Sequence, residues 1–205
     1  MSRPTPSPIT DALIGWFAHA ARPLPWRAAD VSPWAVLVSE FMLQQTQVDR
    51  VVPRWEAWIA RWPTPAALAA EPPSEAVRAW DRLGYPRRAL WLHRAATEIV
   101  ERHGGEVPRD LDALLALQGV GPYTARAVAA FAFGLRHPVV DTNTRRVLAR
   151  ALAGQGDPGP PSTARAVYGP MPCSARSASR SRGTSPPCRS TISVAARCSH
   201  SARRG

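Results

Sequence analysis

With 205 residues, 45% of them hydrophobic, the chain is long enough to bury the core of one large domain or two small ones. No apolar run approaches the ~18 residues a bilayer span needs, and Met1–Pro8 is polar and proline-rich, so a cytoplasmic protein without a membrane segment is expected. The net charge of +11 rests on 26 arginines and no lysine, which removes the usual amine nucleophile for Schiff-base chemistry.

Helical signals dominate in chain order. Ile9 to Ala20 places Leu13, Ile14, Phe17 and Ala20 on one stripe. Ser32-Pro33 is an N-cap followed by proline at the first helical position, and an apolar run from Trp34 to Val48 follows as one helix. Pro53 falls in the first turn of the next helix, which carries Trp55, Trp58, Ile59 and Trp62. Thr64-Pro65 opens a short helix over Ala66–Ala70, and Ser74 caps another with Val77 and Trp80 inward. Pro86 starts a longer helix whose Leu90, His93, Ala96 and Val100 share a face, and His103-Gly104-Gly105 stops it. Asp110 to Leu117 leads into a glycine turn, Tyr123 to Leu135 reads as a buried alanine-rich helix, and a last helix runs from about Thr142 to Ala153. No stretch alternates with a period of two, so an all-α fold of about nine short helices is expected.

Composition changes at about residue 155. Met1–Gly154 holds all eight tryptophans and a net charge of +4. Gln155–Gly205 has eight arginines, one acid and no Leu, Phe or Trp, so it is expected to be disordered: residues 1–154 form the folded domain and 155–205 a basic tail. The tail reads either as a basic arm for nucleic acid or as the product of a shifted reading frame. Its cysteines, Cys173, Cys188 and Cys198, match no tight zinc or iron–sulfur spacing, so no metal site is expected.

Three features carry chemistry. In Leu117-Gln-Gly-Val-Gly-Pro-Tyr-Thr-Ala125, Gly119 and Gly121 are expected to supply positive φ, while Leu117 and Val120 anchor the turn. The free N–H groups of the following helix then form an anion site suited to a phosphate. Asp141 follows Val139-Val140, sixteen residues after Ala125, and fits either a plain N-cap or a carboxylate carried towards bound nucleic acid. Glu40 sits among Val36, Leu37, Phe41, Leu43 and Val48. Enclosed there, its carboxyl would hold a proton near neutral pH, as a general acid must.

The string around Gly119 and Gly121 resembles the helix-hairpin-helix motif. Leu24-Pro25-Trp26-Arg27, Ser39-Glu40-Phe41-Met42-Leu43-Gln44-Gln45-Thr46-Gln47-Val48, Leu83-Gly84-Tyr85, Gly119-Val120-Gly121 and Val140-Asp141-Thr142-Asn143 follow in order. Together they resemble the A/G-specific adenine DNA glycosylases, the MutY family, over roughly Ile9–Gly154. The resemblance implies the helix-hairpin-helix DNA glycosylase fold and a monomer acting on duplex DNA that carries adenine mispaired with 8-oxoguanine or guanine. It implies that Glu40 protonates adenine N7 and Asp141 stabilises the developing sugar charge, with Tyr123 and Asn143 in support. Trp26, Arg27, Leu43 and Val48 would line the pocket of the flipped base. Gln45 and Tyr85 would wedge into the duplex, Thr46 would contact it, and Gly119, Val120 and Gly121 would hold a backbone phosphate. Trp26 and Tyr85 also fit plain packing roles. Tyr123 occupies the position where relatives of the endonuclease III type carry their lysine, which implies base removal without efficient strand cleavage.

The chain departs from that pattern after Gly154. Family members continue with further helices, a cysteine array holding a 4Fe-4S cluster and a domain that reads 8-oxoguanine. The three cysteines here do not fit the array, so an incomplete fold without a cluster is expected. Thr142 also replaces the glycine of the usual Asp-Gly-Asn. Two other readings stay open: a non-catalytic DNA-binding fragment, and an endonuclease III-like glycosylase with another target base such as thymine or uracil.

Overall fold

A computed structural model describes residues 8–154 and residue 156. The expected disorder of the tail and its three cysteines lie outside the described residues. Within them the regular structure is entirely helical, as expected: α1 (Pro8–Ala20), α2 (Pro33–Met42), α3 (Val48–Arg61), α4 (Pro65–Ala69), α5 (Pro73–Trp80), α6 (Arg87–His103), α7 (Leu111–Leu115), α8 (Pro122–Phe131) and α9 (Thr142–Ala153). Short 3₁₀ turns occupy Pro25–Arg27 and Asp81–Leu83. The chain groups into two compact units. One is built on Gly15–Val139; the other contains, of the described residues, Pro8–Ile14 and those from Val140 onward.

The larger unit is organised around α2. Ser32 starts it by accepting the Ala35 N–H, and Pro33 fills the first turn, where no N–H is needed. Residues Trp34–Met42 are all buried, which identifies α2 as a core helix rather than an amphipathic surface one. It packs on α3, α6 and α8. From α3 come Val51, Trp55 and Trp58. Trp58 meets Trp62 and Trp80 edge to face, with ring centroids 4.7 and 5.7 Å apart. Indole N–H groups close the layers: Trp55 donates to the Ala35 carbonyl at 2.8 Å and Trp34 to the Trp62 carbonyl at 3.0 Å.

Several boundaries differ from expectation, each for a local reason. The run from Trp34 to Val48 is two helices, because the chain leaves α2 after Met42 and Gln45 turns into the left-handed region (φ 56°). Pro53 lies inside α3, not in its first turn. It is exposed there, so water can satisfy the carbonyl one turn back that loses its partner. Pro72, not Ser74, occupies the cap position of α5. On α6 the buried stripe is Ala89, Leu92, Ala95, Ala96 and Ile99, while Leu90 and Val100 are exposed. The α8 helix stops at Phe131, because Gly134 turns left-handed (φ 65°) and the Leu135 N–H closes on the Ala129 carbonyl at 3.0 Å. The α1 stripe is not buried: Ile14 and Phe17 are half-buried, Leu13 and Ala20 exposed.

Candidate active site and nucleic-acid interface

Glu40 stands near the end of α2, one turn beyond Val36 and Leu37, and is buried. Among the described residues no hydrogen-bond donor or cation meets its carboxylate. Loss of hydration alone therefore acts on it and pushes its pKa from 4.5 up to about 7. Near neutral pH it holds a proton in a dry setting, the requirement for a group that donates one.

Beyond Glu40, two loops are tied together by a residue that sequence reasoning missed. Arg88, in the first turn of α6, is 4% exposed. Its Nη1 donates to the carbonyls of Phe41 (3.1 Å), Met42 (3.3 Å) and Gln44. Its Nη2 donates to Thr46 Oγ1 and to the carbonyls of Leu83 and Gly84, each at 3.0 Å. Thr46 Oγ1 in turn donates to the Leu83 carbonyl at 3.2 Å, and Trp80 Nε1 to the Gly84 carbonyl at 2.9 Å. Gln45 and Tyr85, one on each loop, adopt positive φ (56° and 50°) and are exposed, Tyr85 to 65%. Thr46 is half-buried and its hydroxyl is spent on this bridge.

The glycine turn packs against the same helix. Gly119 has φ +79°, and a Cβ there would lie 2.8 Å from Trp91 Cβ and 2.9 Å from Phe41 Cε1, so α2 and α6 leave room for hydrogen only. Leu117 and Val120 are buried anchors, and the Val120 N–H returns to the Leu117 carbonyl at 3.2 Å. Glu98 of α6, a second residue missed from sequence, accepts the Gln118 N–H at 2.8 Å and steadies the entry to the turn. Gly121 differs from expectation: it is extended (φ −86°, ψ 175°) at the cap position of α8. Among the described residues, no atom beyond its chain neighbours comes within 4 Å of where its Cβ would stand, and no side chain caps the helix. Tyr123 follows on an exposed turn (41%).

The residues expected to line a base pocket are spread over three elements. Trp26 is buried edge-to-face on Trp55 (5.7 Å), a core position. Arg27 is exposed, its guanidinium 5.5 Å from the Phe17 ring centroid. Leu43, capping α2, and Val48, opening α3, are half-buried against the core. A shallow depression of about 530 Å³ lies between the Pro23–Ala28 segment and Val52 and Glu56 of α3; of the expected residues it takes in Arg27 alone.

In the second unit, Asp141 is the N-cap of α9. Its Oδ1 accepts the Thr144 N–H at 2.6 Å, and the residue is half-buried. Thr142 and Asn143, in the first turn, are exposed. The plain capping role is therefore filled, with one carboxylate oxygen engaged in it.

The family model described as HhH-GPD superfamily base excision DNA repair protein matches residues 38–172. The chain belongs to this superfamily. It is 59% identical over 145 residues to the adenine DNA glycosylase of Mycolicibacterium smegmatis, covering 71% of this chain and 50% of that protein. It is 54% identical over 161 residues to the adenine DNA glycosylase of Mycobacterium tuberculosis, covering 78% and 53%. The chain thus spans about half the length of these relatives. Its fold is similar to the solved structure of a thermostable thymine-DNA glycosylase, with a TM-score of 0.65 and 29% identity over 68% of this chain and 64% of that one. The helix-hairpin-helix fold and the adenine-glycosylase resemblance read from the motifs agree with these likenesses.

The described residues contain no cysteine and no group of three or more His, Cys, Asp or Glu able to hold a metal ion. They offer no ligand set for a cluster. No helix among them is long and apolar enough to cross a membrane.

Proposed function

We propose that this chain carries the base-excision half of an adenine DNA glycosylase, a monomer that acts in the cytoplasm on duplex DNA. The observation that carries the reading is Glu40: a buried acid, unpaired among the described residues, with a pKa pushed up to about 7, in a base excision repair superfamily. The adenine is turned out of the stack and Glu40 donates a proton to its N7, so that the base departs neutral when the glycosidic bond breaks. The positive charge left on the sugar is stabilised by the Asp141 carboxylate, with Asn143 and Tyr123 beside the reaction. Water completes hydrolysis, since a chain without lysine has no side-chain amine to trap the sugar.

The surrounding residues supply grip and selection. Trp26, Arg27, Leu43 and Val48 shape the side that receives the base. The exposed Gln45 and Tyr85 enter the duplex, and Thr46 holds their loops in place. The open side of Gly121, at an uncapped helix start beside Gly119 and Val120, suits a backbone phosphate in close approach. Preference for adenine opposite 8-oxoguanine or guanine belongs to the same proposal.

Single-turnover excision from duplexes holding adenine, thymine or uracil opposite 8-oxoguanine or guanine tests it. Adenine release should be fastest and should fall as pH rises through about 7, the value to which burial pushes Glu40. Preferred release of thymine, the base named for the similar solved structure, would overturn the assignment of the target.

A further inference from the structure

The strongest unexplained feature of the larger unit is the buried cation at Arg88. A buried guanidinium is costly unless its donors are satisfied. Here no carboxylate pairs with it among the described residues. Six acceptors, at the end of α2 and on the two segments that follow α2 and α5, satisfy its terminal nitrogens instead, while its Nε has no partner there. A stretch of apolar side chain would fill the same space at lower cost, so the gain lies in what the fork arranges.

What it arranges is two strained turns. Left-handed backbone costs a non-glycine residue about 1–2 kcal/mol, and both Gln45 and Tyr85 accept it. Neither repays that cost by burial, since both are exposed. Arg88 contacts the carbonyls immediately before each of them, Gln44 and Gly84. It also lies 5.6 Å from the Tyr85 ring centroid and 5.2 Å from that of buried Trp80, so one wedge ring rests over the cation. The same fork caps the Phe41 and Met42 carbonyls at the end of α2, directly after Glu40. A lysine ammonium has neither the planar fork nor the number of donors to replace it.

We propose that Arg88 is the positioning residue of a two-loop wedge, fixing Gln45 and Tyr85 in register with each other and with the helix that carries Glu40. This rests on the glycosylase reading above. Arg88 touches neither base nor sugar; it acts by presenting the two side chains that open the duplex. Its contribution is therefore greatest where a stacked, paired base must be extruded, and small where the base is already unpaired.

The test uses the full chain with Arg88→Met and Arg88→Lys. Single-turnover excision is measured for adenine in a paired duplex and for adenine in an unpaired bubble of the same sequence. Hydrogen exchange is followed in the free proteins over residues 43–47 and 82–86. Both variants should lose on the order of 10- to 100-fold on the duplex and much less on the bubble. Exchange should quicken in the two loops while the α4 and α5 amides keep their protection. Equal losses on both substrates, or loop exchange unchanged from wild type, would overturn the assignment. A wild-type chain that releases adenine from neither substrate would instead remove the glycosylase reading. Loop exchange then decides Arg88 alone: quickened exchange keeps it as the holder of the two loops, and unchanged exchange removes it.

Discussion

Glu40 on one side, and the helix starts at Gly121 and Asp141 on the other, show two opposite ways in which a fold sets the properties of a group: by enclosure and by backbone geometry. Glu40 is defined by what surrounds it. Buried on a fully buried helix, it meets no donor among the described residues, and water exclusion alone sets its protonation. Asp141 and Gly121, both half-buried, are defined by backbone geometry at a helix start. One fixes a carboxylate by lending an oxygen to the Thr144 N–H, and the other leaves its side open where a side chain would stand. An acid is tuned by packing, which tolerates little change, whereas an anion grip or a fixed countercharge is tuned by backbone geometry, which tolerates more.

Removing the proton donor should have the largest effect. Glu40→Gln keeps the shape of the buried side chain and should lower single-turnover excision by about 10²–10⁴-fold with DNA affinity retained. Undiminished excision would leave Glu40 a core residue and the contrast without chemistry. Asp141→Asn comes next. Asparagine caps as well as aspartate, so the thermal midpoint should hold while excision falls on the order of 10²–10³-fold. Asp141→Ala should lose about 1 kcal/mol of stability in addition, read by urea denaturation. If Asn restores full activity, Asp141 is a cap and nothing more.

The contrast also explains what the sequence made legible. The enclosure of Glu40 could be read from Val36, Leu37 and Phe41, because neighbours along one helix decide it. The cap at Asp141 and the stop at Gly104 (φ 62°) are similarly local. Arg88 was not legible, being one of 26 arginines, and four of its six partners, at Phe41, Met42, Gln44 and Thr46, lie more than 40 residues from it in sequence. Its one signal is spacing: it shares a stripe with Leu92, Ala95 and Ile99, an odd place for a charge. The break after Met42 was missed for the same reason, since the carbonyls that end α2 are satisfied across the fold by that guanidinium. On the expected α6 face His93 and Ala96 are buried, while Leu90 and Val100, as apolar as the residues that are buried, face outward. Glycine suggests positive φ at Gly121, whereas the backbone there is extended.

Packing should also show in the pH dependence of stability. The folded chain keeps the Glu40 proton up to about pH 7, whereas a solvated carboxyl releases it near 4.5. The folded form therefore binds more protons between those values. Its Glu40-dependent stability is complete below about pH 4.5 and is lost as pH rises through about 7, by ~3 kcal/mol. Urea midpoints at pH 5 and pH 8 should show the fall in wild type and not in Glu40→Gln. A fall of the same size in the variant would assign the titration to other groups.

The smallest effect is the sharpest test of the open side. Gly119→Ala provides the reference. It forces a methyl against Trp91 and Phe41 at positive φ and should cost about 2–5 kcal/mol, strain and overpacking together. Gly121→Ala meets no atom of the described residues beyond its chain neighbours within 4 Å and has an extended backbone, so its stability should stay within about 1 kcal/mol of wild type. If that open side receives a phosphate, the methyl stands in its path. Duplex affinity, followed by fluorescence anisotropy, should then weaken about tenfold, the worth of one hydrogen bond to a charged group. Salt separates this from a general loss of charge: the variant keeps every arginine, so the slope of affinity against ionic strength should fall by no more than one phosphate contact. Unchanged affinity would mean that the turn is shaped only to pack on α2, and that the grip on DNA lies elsewhere.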